Sequence, residues 1–185
     1  AKNFGDKVAL KHVDLSVRRG AVRVLGGENG AGKSTLMKIL GGIHQPSAGT
    51  IQLNGRAVTI PDPITASRLG IGMVHQHFTL VPSMTVAENI YLGRHIRKYG
   101  LFSDRKAMTG RAAELIERFN FRLDAEAPVR SLSVGQRQRV EILKALAFDA
   151  ELLILDEPTA VLTPPEVDEL IGIIDGLRSR GRTIL

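Results

Sequence analysis

Two kinds of segment follow one another along the chain. Some are short apolar runs, and others are longer stretches in which apolar residues recur at helical spacing. In the first third, the partly alternating residues 8–17 predict a half-buried strand, and the apolar run 21–25 predicts a short buried strand. Residues 34–40 have the spacing of a helix. Asn54-Gly55 separates two short β-prone segments, so residues 50–60 predict a hairpin with a two-residue turn.

The remaining elements follow from the same patterns. They are a short helix at 61–69, a buried strand at 71–74, helices at 86–92, 105–119 and 134–148, a buried strand at 152–155, an amphipathic helix at 164–180 and the start of a strand at 183–185. Strands alternating with helices, with a hairpin among them, predict an α/β fold with a mixed sheet and an antiparallel β portion. We expect the α/β core at 1–92 and 150–185, and a helical subdomain at 93–149.

A glycine-rich loop joins the predicted strand 21–25 to the predicted helix 34–40. Two glycines four residues apart, followed at once by Lys33 and Ser34, form a phosphate-loop pattern. Its main-chain N–H groups and the helix N-terminus would surround a polyphosphate, Lys33 would reach the β- and γ-phosphates, and Ser34 would ligate Mg²⁺. The alternative is a glycine-rich turn with a solvated lysine. The residues expected at the nucleotide are Gly27, Glu28, Asn29, Gly30, Ala31, Gly32, Lys33, Ser34 and Thr35.

Two carboxylates, Asp156 and Glu157, follow the continuous apolar run 152–155, and Gln76 follows the predicted strand 71–74. Adjacent carboxylates at the end of a buried strand are costly unless they bind something cationic. With a phosphate loop in the same sheet, Asp156 is expected to hold Mg²⁺ and Glu157 to polarise the attacking water. Gln76 lies where α/β sheets place ligand-contacting residues. The alternative is an Asp-Glu pair solvated in a loop.

A second candidate anion site lies directly before the predicted helix 134–148. Ser133 is a typical N-cap, and capping alone would account for it. A capping serine, a glycine that permits close approach at Gly135 and a helix N-terminus also suit an anion. Two such sites need not share one nucleotide, because they could face each other across a dimer.

Composition limits the remaining possibilities. Of the 185 residues, 43% are hydrophobic and 24% charged, which is ordinary for a globular protein. No cysteine is present, and His75 and His77 have no further candidate ligands near them, so we expect no metal site beyond Mg²⁺. No apolar run reaches the roughly 20 residues of a membrane span, and we expect a cytoplasmic protein.

The net charge of +6 permits a nucleic acid or an anionic membrane as partner. Aromatic residues make up only 4% of the chain, so no stacking platform for single strands is apparent. A solvated basic face is the alternative, and charge alone does not decide between these partners.

The order and spacing of these motifs resemble the nucleotide-binding domain of ATP-binding cassette (ABC) transporters, over essentially the whole chain. Residues 27–34 match the Walker A motif, Gln76 the Q-loop, residues 132–136 the signature, and residues 152–156 the Walker B motif. The resemblance implies a phosphate-loop (RecA-like) fold that binds ATP and Mg²⁺. The implied roles are as follows: Lys33, Gln76 and Glu157 in catalysis; Ser34, Gln76 and Asp156 at the metal; Phe4 stacked on adenine; and Ser133, Val134, Gly135 and Gln136 on the nucleotide of a second cassette.

The finer features are similar to importers of simple sugars and nucleosides, which often carry two cassettes in one chain; the intact motifs here resemble the first. This implies, as partners, a second cassette, transmembrane permease subunits and, indirectly, a solute-binding protein, at the inner face of the cell membrane, with no nucleic acid expected. Val134 replaces a common glycine, and Thr163 replaces the D-loop aspartate. The chain ends before the expected switch histidine and begins inside an expected edge strand. We therefore expect an incomplete cassette that binds ATP but is catalytically impaired.

Two other classes stay open. A non-transport ABC ATPase that acts on ribosomes or nucleic acid would use the basic charge directly, although no long heptad tract lies between Ser34 and Leu132. A phosphate-loop kinase or GTPase would have no use for the signature at residues 132–136.

Overall fold

The computed structural model describes residues 1–76, 78–93 and 104–185, together with the backbone of residues 97–98 and 102–103. His77 lies outside the described residues. The chain forms two compact units. The first unit comprises residues 1–73, 150–156 and 178–185, and the second comprises residues 74–149 and 157–177.

The first unit contains most of the β structure. Its elements are β1 (Lys2–Phe4), β2 (Lys7–Leu10), α1 (Lys33–Leu40), β3 (Ile51–Leu53), β4 (Arg56–Val58), α2 (Pro63–Arg68), β5 (Ile71–Val74, whose last residue belongs to the second unit), β8 (Leu152–Leu155) and β9 (Thr183–Ile184). The predicted helices at 34–40 and 61–69 and the predicted strands at 71–74, 152–155 and 183–185 are therefore confirmed, with ends shifted by a few residues.

A three-stranded sheet with the order β5-β8-β9 forms the centre of the first unit. Strands β8 and β9 run parallel, with Leu152 opposite Thr183 and Leu153 opposite Ile184. The sheet packs against a core cluster of buried apolar side chains, namely Met37, Ile60, Ala66, Ile71, Ile154 and Leu185. The continuous apolar run of β8 is typical of a strand covered on both faces, and it brings Asp156 to the strand's carboxyl end.

The hairpin predicted at 50–60 is confirmed. Strands β3 and β4 pair antiparallel, and Ile51 lies opposite Val58. Asn54 and Gly55 both have positive φ, 51° and 77°. A two-residue turn of type I′ needs this conformation at both positions. Its twist matches that of the flanking strands, and Asn-Gly adopts it at low cost.

Two strand predictions are wrong. The half-buried strand predicted at 8–17 is present only as β2, and residues 11–20 form no strand. The buried strand predicted at 21–25 is reduced to one isolated parallel bridge between Val22 and Ile184, and Val24 is 83% exposed. An apolar run reports the tendency to be buried, but a strand also needs neighbours in register. Among the described residues, this segment is paired only along the edge of β9.

The apolar residues of the first failed strand nevertheless reach the core. Leu15 and Val17 are partly buried against the core cluster without a β-ladder. The hairpins β1-β2 and β3-β4 are each two-stranded sheets in the described residues, rather than additional strands of the central sheet. The antiparallel portion is therefore present, but among the described residues its strands do not pair with the central sheet.

The second unit is mainly helical. It contains α3 (Val86–Ile90), the short antiparallel pair β6 (Arg97–Lys98) and β7 (Phe102–Ser103), α4 (Arg105–Arg118), a 3₁₀ turn (Val129–Ser131), α5 (Val134–Leu146) and most of α6 (Pro164–Ser179). The four predicted helices are confirmed, and the pair β6-β7 was not predicted. Helix α3 packs on α4 and α5. The fully buried side chains at this centre include Val86, Ile90, Ala112, Val140 and Leu143.

No helix within the described ranges is both long and apolar enough to cross a membrane. The predicted division into a core at 1–92 and 150–185 and a helical subdomain at 93–149 stays a prediction.

Candidate functional site

The glycine-rich loop is exposed from Gly27 to Ala31 and leads directly into α1. The Lys33 ammonium donates hydrogen bonds to the carbonyl oxygens of Gly27, at 2.5 Å, and Glu28, at 2.9 Å. The lysine side chain thus folds back over its own loop and closes it into a ring. This arrangement places a cation beside the loop backbone at the start of α1, a combination that suits a polyphosphate.

Gly32 explains why the loop needs glycine at that position. It is the N-cap of α1 with φ of 89°, in the left-handed region that favours glycine. A Cβ atom on Gly32 would lie 2.7 Å from the carbonyl oxygen of Ala9 and 2.9 Å from a methyl carbon of Leu10. Both the backbone conformation and the close approach of β2 therefore exclude a side chain here.

Ser34 and Asp156 bring two side-chain oxygens together at the start of α1, and oxygen is the ligand that hard cations prefer. The Ser34 hydroxyl donates a hydrogen bond to Asp156 Oδ1 at 3.2 Å, and only 9% of Asp156 is exposed. Mg²⁺ takes oxygen ligands, commonly one or two from the protein, with waters and substrate phosphates supplying the rest. The chemistry and position of this pair beside the loop fit Mg²⁺. No cluster of three or more acidic or histidine side chains suited to a metal occurs in the part of the chain described.

Gln76 and Glu157 are joined in the second unit. Both side chains are exposed, and Gln76 Nε2 donates a hydrogen bond to Glu157 Oε2 at 3.1 Å. Glu157 has φ of 51°, an unfavourable backbone conformation for a residue with a side chain. Such strain costs about 1 kcal/mol or more and is frequent at functional sites. The sequence predicted a role for each residue but did not predict that they would contact each other.

A buried carboxylate fixes the segment that follows Gln76. Glu141, in the middle of α5, is 4% exposed and accepts hydrogen bonds from the Thr79 backbone N–H, at 2.5 Å, and hydroxyl, at 2.9 Å. The Thr79 hydroxyl oxygen also accepts from Lys144 Nζ at 3.2 Å. Sequence analysis missed Glu141, because a single acidic residue within an amphipathic helix gives no signal of its partner.

Ser133 caps α5 as predicted. Its hydroxyl accepts a hydrogen bond from the Gln136 N–H at 3.2 Å, and its own N–H donates to Gln136 Oε1 at 2.9 Å. This reciprocal pair is a capping box. Val134 and Gly135 follow within the first turn, so all four residues predicted at the second anion site lie at one helix N-terminus.

A carboxylate from α6 already contacts that N-terminus. Glu166 Oε1 accepts a hydrogen bond from the Gly135 N–H at 2.9 Å and lies 3.3 Å from the Ser133 hydroxyl. Backbone hydrogen bonds from Thr163 and then from Gly135 hold the pKa of Glu166 below its usual range. Sequence analysis missed Glu166. The spacing Thr163-x-x-Glu166 suggests a capping box for α6, but nothing local indicates the contact with Gly135.

Phe4 lies at the end of β1 in the first unit and is 45% exposed. Its ring meets the His44 ring edge-on with centroids 5.2 Å apart, and Lys2 Nζ lies 4.8 Å from the Phe4 centroid. A partly exposed aromatic ring is of the kind that stacks on a planar partner.

The structure thus assembles three groups from distant parts of the sequence. The glycine-rich loop, Ser34 and Asp156 come together in the first unit. In the second unit, Gln76 meets Glu157, and the N-terminus of α5 meets Glu166.

Comparison with known proteins gives a consistent result. The family model described as ABC transporter matches residues 10–160. The nucleoside import ATP-binding protein NupA of Lactococcus lactis subsp. cremoris (strain MG1363) is 50% identical over 184 residues, covering 100% of this chain and 36% of NupA. The ribose import ATP-binding protein RbsA 2 of Burkholderia cenocepacia (strain HI2424) is 49% identical over 180 residues, covering 97% and 36%. The chain spans about a third of the length of these relatives.

Solved structures are similar over the whole chain. The ADP conformation of MJ1267, an ATP-binding cassette of an ABC transporter, matches with a TM-score of 0.87 and 27% identity, covering 100% of this chain and 76% of that one. The dimeric structure of MJ0796, a bacterial ABC transporter cassette, matches with a TM-score of 0.75 and 27% identity, covering 98% and 81%. These similarities agree with the predicted α/β phosphate-loop fold.

Proposed function

This chain belongs to the ABC transporter family, and on that premise we propose that it binds and hydrolyses Mg²⁺-ATP to energise a membrane importer of simple sugars or nucleosides. The contact between Ser34 and Asp156 beside the glycine-rich loop carries the proposal. It joins the first turn of α1, which follows the glycine-rich loop, to a buried carboxylate at the end of a central strand. That combination suits a nucleoside triphosphate bound with a divalent cation.

The loop residues 27–35 bind the triphosphate in this proposal. Their N–H groups surround the β- and γ-phosphates, and Lys33 exchanges its two carbonyl partners for phosphate oxygens. Phe4 stacks on the adenine, for which its partly exposed ring is suited. The similar MJ1267 cassette has an ADP conformation, which supports an adenine nucleotide as the ligand class.

Ser34 and Asp156 would hold Mg²⁺, and the amide oxygen of Gln76 is proposed as a further ligand. When bound, the ion neutralises charge on the β- and γ-phosphates and orients them. The protein's own part is to keep a hydroxyl and a carboxylate at hydrogen-bonding distance before the nucleotide arrives. Ser34 and Asp156 therefore need little rearrangement when the nucleotide and its cation bind.

Glu157 acts as the general base that accepts a proton from the attacking water. A base needs a carboxylate held close to the water, and the strained backbone at Glu157 together with its bond from Gln76 restricts where that carboxylate lies. Lys33 stabilises charge that develops on the transferred phosphoryl group. The low turnover expected for this chain by itself remains a prediction, to be measured as phosphate release.

The N-terminus of α5 binds the phosphates of a nucleotide held by a second cassette. Ser133 caps the helix, and Val134, Gly135 and Gln136 form its first turn, where N–H groups and the helix dipole favour an anion. The dimeric MJ0796 cassette supports a paired arrangement. The second cassette is either another chain or a tandem copy in the parent protein.

The further partners are transmembrane permease subunits and, indirectly, a solute-binding protein, and the site of action is the inner face of the cell membrane. The similar proteins NupA and RbsA 2 are import ATP-binding proteins for nucleosides and for ribose, which supports this part of the proposal. The solute is chosen by the permease and binding protein, so this chain names only the class.

The test uses the full-length protein with its permease in membrane vesicles. Mg²⁺-ATP should drive uptake of labelled ribose or nucleoside, and Glu157→Gln should abolish uptake while leaving ATP bound. Co-purification with ribosomes instead of membrane subunits would contradict the import function and favour a non-transport ABC ATPase.

A further inference from the structure

The carboxylate of Glu166 connects the start of α6 to the start of α5. Its Oε2 accepts hydrogen bonds from the Thr163 N–H, at 3.0 Å, and hydroxyl, at 2.9 Å. Its Oε1 accepts from the Gly135 N–H, at 2.9 Å, and lies 3.3 Å from the Ser133 hydroxyl. One oxygen therefore accepts hydrogen bonds at the start of its own helix, and the other contacts residues 133–136 at the start of α5, the signature turn.

The donor in the contact with Gly135 is the backbone N–H, which carries a single hydrogen. A backbone N–H makes one strong hydrogen bond, and here the bond goes to Glu166. The space beside Gly135 is also taken, because a Cβ atom built there would lie 2.8 Å from Glu166 Oε1. The glycine at this position thus permits the approach of an anion, and in this structure the anion belongs to the same chain.

The donors that Glu166 occupies are those that the proposed function assigns to a nucleotide phosphate. The low pKa of Glu166, caused by the N–H groups of Thr163 and Gly135, keeps its carboxylate ionised at neutral pH. A phosphate oxygen at hydrogen-bonding distance from Gly135 would lie next to this negative charge. Two anions that share one donor repel each other, so only one of them can hold the turn at a time.

Release of the signature turn would not unfold the start of α6. The two bonds from Thr163 go to Oε2, and a rotation of the carboxyl group can keep a bond to Thr163 while Gly135 is freed. The side chain is therefore tethered beside the site in both situations. A tethered anion competes at a high effective concentration.

We propose that Glu166 is an internal anion that occupies the signature turn at Ser133 and Gly135 until a nucleotide phosphate from the second cassette displaces it. Glu166 thereby sets the ATP concentration at which two cassettes pair. This inference rests on the proposed function, because it assumes that the signature turn receives a phosphate.

The experiment compares wild type, Glu166→Gln and Asp168→Asn in the full-length protein. The glutamine keeps the shape and can still accept from Thr163, so the helix cap should survive. Asp168 lies on the same helix with an exposed side chain, and its substitution makes the same change in charge without touching the signature turn. Hydrolysis of Mg²⁺-ATP is measured over a range of ATP concentrations at constant ionic strength.

Removal of the competing charge should lower the KM for ATP about three- to tenfold in Glu166→Gln, with kcat changed by less than about twofold. Asp168→Asn should have the KM of wild type. A KM in Glu166→Gln that is unchanged or raised would overturn the proposal, as would an equal fall in Asp168→Asn, which would indicate general electrostatics. A purely structural role would lower kcat or the melting temperature without lowering KM.

A measurement on the wild type needs no variant. Without nucleotide, the Gly135 amide should exchange its hydrogen slowly, and rapid exchange at that amide would overturn the proposal. Failure of the proposed function looks different. In that case the wild type would neither hydrolyse Mg²⁺-ATP nor gain thermal stability from it, whichever residue stands at position 166.

Discussion

The hydroxyl of Ser34 donates a hydrogen bond to Oδ1 of Asp156, although 122 positions separate the two residues in the chain. Ser34 lies in the first turn of α1, and Asp156 follows β8 directly. The contact brings the two halves of the proposed Mg²⁺ site together inside one compact unit, and it directs the first experiment.

Asp156→Asn should remove most of the contribution of Mg²⁺ to ATP affinity. The amide cannot supply the negative charge that attracts the cation, so the gain in affinity on adding Mg²⁺ should fall about tenfold or more. Titration calorimetry with ATP, in the presence of Mg²⁺ and of a chelator, measures that gain. An Asp156→Asn protein with an unchanged Mg²⁺ dependence would remove Asp156 from the metal site.

Lys33→Ala should weaken ATP binding at least about tenfold, because a charge-assisted hydrogen bond to phosphate contributes about 1.5–3 kcal/mol. Lys38→Ala is the matched control, since Lys38 lies in the last turn of the same helix. A thermal-shift titration with Mg²⁺-ATP reports both. Equal stabilisation of Lys33→Ala and Lys38→Ala would contradict the proposed role of the loop.

Glu157→Gln in the full-length protein should retain ATP binding, lose turnover and accumulate paired cassettes. The neutral amide preserves the shape of the side chain but cannot accept the proton of the attacking water. Size-exclusion chromatography with and without ATP, together with a phosphate-release assay, separates pairing from chemistry. Turnover at the wild-type rate would show that another group is the base.

Glu141→Ala should lower the free energy of unfolding by about 1–3 kcal/mol, because the backbone N–H of Thr79 would lose its buried acceptor. Glu114→Ala serves as control, since Glu114 is an exposed acidic residue of α4. Urea unfolding followed by circular dichroism gives the difference. A loss no larger than that of Glu114→Ala would mean that water replaces the carboxylate at Thr79.

The contribution of Glu88 to the free energy of unfolding should depend on pH. The backbone N–H of Thr85 and the guanidinium of Arg105 hold the pKa of Glu88 below its ordinary value of 4.5. A depressed pKa in the folded state contributes stability that is fully present above pH 4.5 and is lost as the pH falls through the folded-state pKa. The stability difference between wild type and Glu88→Gln should therefore be largest near neutral pH and shrink below pH 4.5. A difference that grows on acidification would contradict this assignment.

The sequence alone predicts the local features of the fold and of the site well. The glycine-rich loop, the cap at Ser133 and the turn at Asn54-Gly55 depend on contacts within a few residues, so their residue types are visible in the sequence. Each of these elements is found where it was expected.

Long-range partners could not be predicted. Glu141 is the one acidic residue of α5, whereas Glu166 is one of four acidic residues of α6, and acidic residues in amphipathic helices usually face solvent. Only the tertiary packing reveals that one accepts from Thr79 and the other from Gly135. The strand expected at 21–25 failed for a related reason, because strand formation depends on neighbours that the segment does not itself encode.

Helix α5 is a rigid element that carries the cap at Ser133 and the contact between Glu141 and Thr79. Ser133 caps its first turn, and Glu141 binds Thr79 about two turns later. Each residue inserted or deleted between them would rotate the carboxylate by about 100° around the helix axis, away from Thr79, while the cap stayed in place. In descendants of this sequence, the segment from Ser133 to Glu141 should therefore accumulate substitutions without changing length. An insertion there would have to be matched by a compensating change in the segment that follows Gln76.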